Sequence, residues 1–211
     1  MVALSGGFDD PRQFWDQRFA APEYIFGTAA NVFLISQQAR FKPGVRVLDI
    51  ACGEGRNAVW LAQQGCEVAA VDISPVAIEK AGRLAADRGV RVSFEVGDLR
   101  TWRWPQSAFD AVVSIFIQFA TPAERTRMFG GFMRTLKPGG VLLLQGYTPR
   151  QLEYKTGGPP QADHMYTESM LREALPGMEI LHLREHEDVL SEGTKHVGMS
   201  ALIDLVARKP A

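Results

Sequence analysis

The stretch Val45-Arg46-Val47-Leu48-Asp49-Ile50-Ala51-Cys52-Gly53-Glu54-Gly55 constrains the fold more than any other part of this chain. Its apolar half reads as a buried strand. Two glycines then allow a tight turn, and from Ala58 the pattern becomes helical. In a strand–glycine turn–helix unit the glycines let the backbone approach a ligand, and the helix N-terminus offers free N–H groups to it. Such a unit is a nucleotide-cofactor site, and it belongs in a layered α/β sheet.

The rest of the chain keeps the rhythm. Lys42-Pro43-Gly44 turns into the first strand, Val45–Ile50, and Gly65 ends the helix that follows it. Glu67–Val71 reads as a second strand with Asp72 at its tip. Ser74-Pro75 opens a helix with Ala77, Ile78, Ala81, Leu84 and Ala85 on one face, and Gly89 ends it. Val90, Val92, Phe94 and Val96 alternate as a third strand, closed by Gly97-Asp98-Leu99. Phe109–Phe116 is a fourth strand. Thr121-Pro122 starts a helix that Lys137-Pro138-Gly139-Gly140 stops, and Val141–Gln145 is a fifth strand. Alternating strands and helices predict a parallel sheet covered on both faces, with ligands beyond the C-terminal strand ends. That rule gathers Asp49, Asp72, Asp98, Phe116 and Gln145 along one crevice.

Outside this core the pattern is less regular. Asp10-Pro11 starts a helix bearing Phe14, Trp15, Arg18 and Phe19. Tyr24-Ile25-Phe26-Gly27 follows, then a second helix over about 29–41. Residues 146–166 read as a long loop, 167–175 as a helix, and Glu179–Glu185 with His196–Ala207 as a closing hairpin joined around Glu192-Gly193. Residues 1–41 are expected to form a helical lid, 42–145 the cofactor-binding core, 146–177 a substrate loop and helix, and 178–211 the C-terminal β-hairpin, all within one domain. A chain of 211 residues suits one such domain.

Composition narrows the function. The net charge of −1 gives no general drive toward nucleic acid or an anionic membrane. No apolar run reaches the roughly 18 residues of a membrane span, and no signal peptide is visible. The two cysteines, Cys52 and Cys66, fit no metal pattern, so no metal site is expected. The expectation is a cytoplasmic protein, monomeric or homodimeric, acting on a small molecule. On spacing alone, Gly53-x-Gly55-x-x-Ala58 with Asp72 about 20 residues on suits an NAD(P)-dependent oxidoreductase. A cofactor-binding protein without catalysis is the other alternative.

Three further features point elsewhere: the acidic Asp72 ending strand two, Gly97-Asp98 ending strand three, and Lys137-Pro138-Gly139-Gly140 before strand five with a hairpin at the end. Over residues 45–208 the chain resembles the class I S-adenosylmethionine-dependent methyltransferases. The resemblance implies a Rossmann-like three-layer α/β sandwich whose seven-stranded sheet is mostly parallel, with an antiparallel last strand. The cofactor is then S-adenosylmethionine and the product S-adenosylhomocysteine.

The resemblance assigns roles by position. Asp49, Ala51, Cys52, Gly53 and Gly55 cradle the methionine and ribose part. Asp72 takes the ribose hydroxyls, Ile73 packs on the adenine, and Asp98 with the Leu99 backbone holds the adenine amino group. Ile115 and Phe116 form the floor, and Trp15, Arg18, Tyr24 and Asn31 complete the cofactor set. The family has Gly where this chain has Ala51, and Ala does not readily take positive φ.

A narrower likeness joins Tyr24-Ile25-Phe26-Gly27, Gly53–Ala62, Tyr147-Thr148-Pro149 with Thr156-Gly157-Gly158-Pro159, and Glu192-Gly193…His196. These resemble bacterial methyltransferases of the tellurite-resistance and thiopurine type. Where those proteins often carry His after strand four, this chain has Gln118. The likeness makes Tyr147 and His196 the candidate catalytic residues and a soft sulfur or chalcogen nucleophile the expected acceptor. Aromatic faces suit a sulfonium as they suit other cations, which brings in Trp15, Tyr24, Phe26 and Tyr147. A lone His is more often structural, and His164 and His196 are the better functional candidates of the four.

Overall fold

The computed structural model describes residues 10–211. The first nine residues of the expected lid lie outside that range. Seven strands form one sheet: β1 (Arg46–Ile50), β2 (Glu67–Asp72), β3 (Ser93–Val96), β4 (Phe109–Ile115), β5 (Leu136–Tyr147), β6 (Glu179–Glu192) and β7 (His196–Arg208). Their order is β3-β2-β1-β4-β5-β7-β6. Pairs among β1 to β5 are parallel, and β7 runs antiparallel to both β5 and β6. This is the expected seven-stranded Rossmann-like sandwich.

Alternation along the strands builds the two covering layers. Leu48 and Ile50 join Val112, Leu142 and Leu144 beneath α5 (Pro122–Thr135) and α7 (Glu168–Ala174). Val47, Val113, Leu143 and Val206 face the other way, against α2 (Val32–Ser36) and α3 (Arg56–Gln63). The α4 helix (Pro75–Asp87) packs beside α3, and α1 (Pro11–Phe19) lies against α4. The capping signals act as expected: Ser74 accepts from the Ala77 amide, and Thr121 forms a full capping box with Glu124.

Four elements before the closing hairpin differ from the sequence reading. The helix expected over 29–41 is cut to α2 and a 3-10 turn, Gln38–Arg40. Asn31 caps the start, and the Ser36 hydroxyl bonds back to the Phe33 carbonyl, 2.7 Å, a local alternative to helix propagation. The third strand begins at Ser93, because Val90 closes the end of α4 by donating to the Ala85 carbonyl. The fifth strand begins at Leu136. Lys137-Pro138-Gly139-Gly140 forms a bulge in it opposite Phe109–Ala111, with Gly139 at φ 78° and Lys137 paired to Asp110. The 146–166 segment is built rather than structureless, with α6 (Gln151–Tyr154) and a 3-10 turn, Ala162–His164.

Candidate active site

The glycine loop follows β1 with an unusual backbone. Ala51 has φ 47°, Gly53 φ 53° and Gly55 φ 85°. Ala51 therefore takes the left-handed conformation that glycine adopts freely. Gly55 is required by contact as well, since a methyl there would collide with Ala81 of α4. The Phe19 ring covers the loop, 3.5 Å from where a Gly53 Cβ would stand.

Two carboxylates meet at this loop. Asp72 accepts from the Gly53 amide (2.8 Å) and the Ser74 amide (2.9 Å), one on each oxygen. Burial nevertheless raises its pKa to about 6. Asp49 is buried too, its Oδ2 has no hydrogen-bond partner, and burial lifts its pKa to about 7, against the pull of Arg56. Beside them, burial and the charges of Asp72 and Asp49 push the Cys52 thiol well up, so it is a small loop residue and not a thiolate.

Beyond β2 and β3 a groove of about 300 Å³ is lined by Ile73, Val96, Gly97, Asp98, Arg100 and the 10–12 segment. Leu99 is buried beneath it. Asp98 is held by Arg100, which donates to both carboxylate oxygens at 2.6–3.1 Å and keeps the carboxyl pKa low.

At the exits of β4, β5 and β6 stands a second cluster. The His196 ring lies 4.5 Å from Phe26, 4.6 Å from Phe116 and 5.9 Å from Tyr147, centroid to centroid. Phe116, with Ile115 before it at the end of β4, holds φ 56°, an outlier for so bulky a residue and a form of strain that gathers at functional sites. Tyr147 is fully buried with an unpartnered hydroxyl, and Gly157 and Gly158 lie so close that a methyl on either would press on its ring or hydroxyl. Burial first, then Glu192, raises its pKa. Gln118 clamps the same residue, donating to the Tyr147 carbonyl (2.8 Å) and accepting from its amide (2.5 Å). Gln118 thus fastens the β4 exit to the end of β5.

A buried polar network backs this aromatic box. Arg56 donates to Glu192 (2.8 Å) and to the Phe26 carbonyl (3.3 Å). Asn31 donates to Glu192 (2.9 Å) and to Gln145 (2.7 Å), and Gln145 donates to Asp204 (2.6 Å). On the other side of the loop, Lys80 pairs with Glu54 and donates to the Phe19, Ala21 and Glu23 carbonyls.

The structure therefore brings Asp49, Ala51, Cys52, Gly53, Gly55 and Asp72 together at the loop, and Ile73 and Asp98 at the groove, while the Leu99 side chain belongs to the buried core. It unites Tyr147, His196, Phe116 and Phe26 in the box. Trp15 stacks on Phe19 at 5.5 Å, Phe19 meets Phe26 edge-on at 6.2 Å, and Arg18 lies over Trp15. Tyr24 is not with them: its ring lies 5.1 Å from Lys80 Nζ and its hydroxyl donates to the Lys80 carbonyl on α4. Asn31 sits in the polar network rather than at the loop. His164 is buried in its 3-10 turn with Nδ1 unpartnered. Sequence reasoning missed Arg56, Glu192 and Lys80. Lys80 had one signal, an ionisable residue beside Ala77, Ala81 and Leu84 in the buried stripe of α4.

The strand order, the glycine loop and the acidic residues at the strand tips define a class of protein, and residues 47–140 match the family model described as a methyltransferase domain. By that match the core of this chain is similar to a methyltransferase domain. Among particular proteins, it is 36% identical over 103 residues to an uncharacterized methyltransferase of Synechocystis sp., covering 48% of this chain and 47% of that protein. The chain thus spans about half the length of that curated relative. A solved chain from the conversion of a disulfide bond into a thioacetal group during echinomycin biosynthesis has a TM-score of 0.77 at 21% identity, covering 94% of this chain and 93% of that one. TehB from Haemophilus influenzae has a TM-score of 0.70 at 19% identity, covering 94% and 66%. These last two are likenesses of fold.

Proposed function

We propose that the whole chain transfers a methyl group from S-adenosylmethionine to a small molecule whose acceptor atom is a soft sulfur or heavier chalcogen, as in a thiol, tellurite or selenite. The observation that supports this reading best is the aromatic box of Phe26, Phe116, Tyr147 and His196, which stands beside the glycine loop. Methyl transfer from a sulfonium is an in-line displacement in which positive charge disappears, so alignment and dry walls matter most. The narrower likeness supports the acceptor class. One solved neighbour concerns chemistry at a disulfide, and the other is TehB.

The donor set fits the cofactor. Bound S-adenosylmethionine supplies an electrophilic methyl group on a positively charged sulfur. The Asp49 carboxylate, whose Oδ2 has no partner, suits the cationic methionine end. Asp72, held by backbone amides, keeps acceptor capacity for the ribose hydroxyls. Ile73 and Asp98 line the groove suited to the adenine, and Arg18 suits the cofactor carboxylate. Tyr147 and His196 face the acceptor.

A product screen with methyl-labelled donor over thiols, tellurite, selenite and phenols tests the reading. Labelled thioether or methylated chalcogen is the expected result. Transfer to phenols alone would overturn the acceptor class. Tight binding of S-adenosylhomocysteine with transfer to nothing would leave a cofactor-binding protein without catalysis.

A further inference from the structure

The base of the aromatic box holds a group that methyl transfer to a preformed anion does not need. His196 Nδ1 lies 3.2 Å from Glu192 Oε2, across the turn that links β6 to β7. Glu192 cannot swing away, because Arg56 holds the same oxygen at 2.8 Å and Asn31 holds Oε1 at 2.9 Å. Asn31 is itself fixed through Gln145 and by its cap on α2. Both residues of the pair are more than nine-tenths buried.

We propose that Glu192 is a positioning residue: by accepting the Nδ1 proton of His196 it leaves Nε2 as the free lone pair of a neutral imidazole facing the box, a base for an acceptor that arrives still carrying its proton, a thiol or selenol. This rests on the methyltransferase reading above and narrows its acceptor class away from oxyanions. An ionised carboxylate can only accept, so Nδ1 must be the donor. Its partners hold Glu192 ionised, with a pKa of about 2. The charged groups facing His196 are Glu192, Arg56 and Arg18. Burial leads the shift, and with the two arginines it lowers the imidazole pKa against Glu192, so the ring is a free base at neutral pH.

The step balances without a co-reactant. The acceptor's sulfur or selenium lone pair forms the new bond to the methyl carbon. The donor's carbon–sulfur bond breaks with its pair left on sulfur. The acceptor's S–H or Se–H pair stays on the acceptor as its proton passes to Nε2. The imidazolium then lies against Glu192.

The test reads the tautomer and the kinetics in parallel. Nitrogen-15 NMR of the His196 ring at pH 7.5 is expected to show Nδ1–H with unprotonated Nε2 in the wild type, and Nε2–H in Glu192→Gln, whose amide can donate to Nδ1. Transfer to benzyl mercaptan, a thiol protonated at that pH, is expected to fall about 100-fold in kcat/KM for Glu192→Gln, a typical share for a general base. The fall should be several-fold smaller with thiophenol, which is already largely a thiolate. Calorimetry with S-adenosylhomocysteine should show unchanged affinity. Equal losses with both thiols, or a wild-type ring that is Nε2–H or imidazolium, would overturn the proposal. If wild type methylates neither thiol, the thiol acceptor proposed above fails on its own, while the wild-type tautomer still decides the positioning role.

Discussion

Gly27 and Gly193 meet backbone to backbone. A methyl group on Gly27 would lie 3.1 Å from the Gly193 amide nitrogen, and one on Gly193 would collide with Gly27 and the Ile25 carbonyl. The Thr194 amide completes the junction by donating to that carbonyl, 2.9 Å. The segment before the core is thereby locked to the turn of the closing hairpin, and the lock delivers Phe26 to one side of His196. With Arg56 bridging Phe26 and Glu192, three separate sequence motifs become one structure.

Gly193→Ala should undo that junction. Gly193 holds φ 62°, where an L side chain costs roughly 1–2 kcal/mol, and the collision adds about 1–3 kcal/mol of overpacking. The expected loss is about 2–5 kcal/mol of stability by denaturant unfolding, with increased protease cutting between residues 19 and 27. Wild-type stability in this variant would show that the two glycines are not held together in solution.

The core of this arrangement was legible from sequence because its signals are local. Val47, Leu48 and Ile50 read as a strand, and Gly53 and Gly55 as a turn. The hairpin from Glu179 was legible in kind but too short by seven residues at β6, since exposed positions such as Glu187 and Val189 carry no burial pattern. What could not be read was pairing at a distance. Nothing local in Glu192 says that it will meet Arg56 and Asn31. Nothing in Gly157 says that Tyr147 will fill the space a side chain would take. Tyr24, read beside Phe26 as a neighbour in sequence, goes to α4 because its hydroxyl finds the Lys80 carbonyl there.

Ala51 offers a test in the opposite direction. Its φ of 47° costs about 1–2 kcal/mol relative to glycine, while glycine in the unfolded chain gives back about 0.4–1 kcal/mol. Ala51→Gly should therefore gain up to about 1.6 kcal/mol, at about 2–4 °C in melting temperature per kcal/mol for a chain of this size. A fall in melting temperature would mean that the packing of the Ala51 methyl against the core outweighs its backbone strain.

Asp98→Ala should weaken S-adenosylhomocysteine binding by roughly 1–3 kcal/mol, the loss of a hydrogen bond to a charged group. Arg100 engages both Asp98 oxygens, so it competes for the same lone pairs. Arg100→Ala should bind at least as tightly as wild type. Calorimetric titration checks both, and unchanged affinity in Asp98→Ala would remove Asp98 from the adenine groove.

Asp49 makes the stability of the ligand-free protein depend on pH. Its folded pKa of about 7 lies above the ordinary 3.8, so between those values the folded protein holds a proton that the unfolded chain has released. Stability then falls as pH rises through that interval, and Asp72, raised to about 6, pushes in the same direction. The combined cost reaches the order of a few kcal/mol, since each unit is worth about 1.4 kcal/mol. Melting temperature without ligand should drop from pH 5 to pH 8. Asp49→Asn should flatten that drop, converging on wild type only below about pH 4 and exceeding it increasingly up to pH 8, because the amide never ionises. Cofactor binding should show the reverse dependence. A cation brought to Asp49 favours the carboxylate, so below pH 7 binding must release a proton, detectable as a calorimetric heat that varies with the ionisation enthalpy of the buffer. Identical wild-type and Asp49→Asn melting profiles would show that Asp49 ionises freely in the fold.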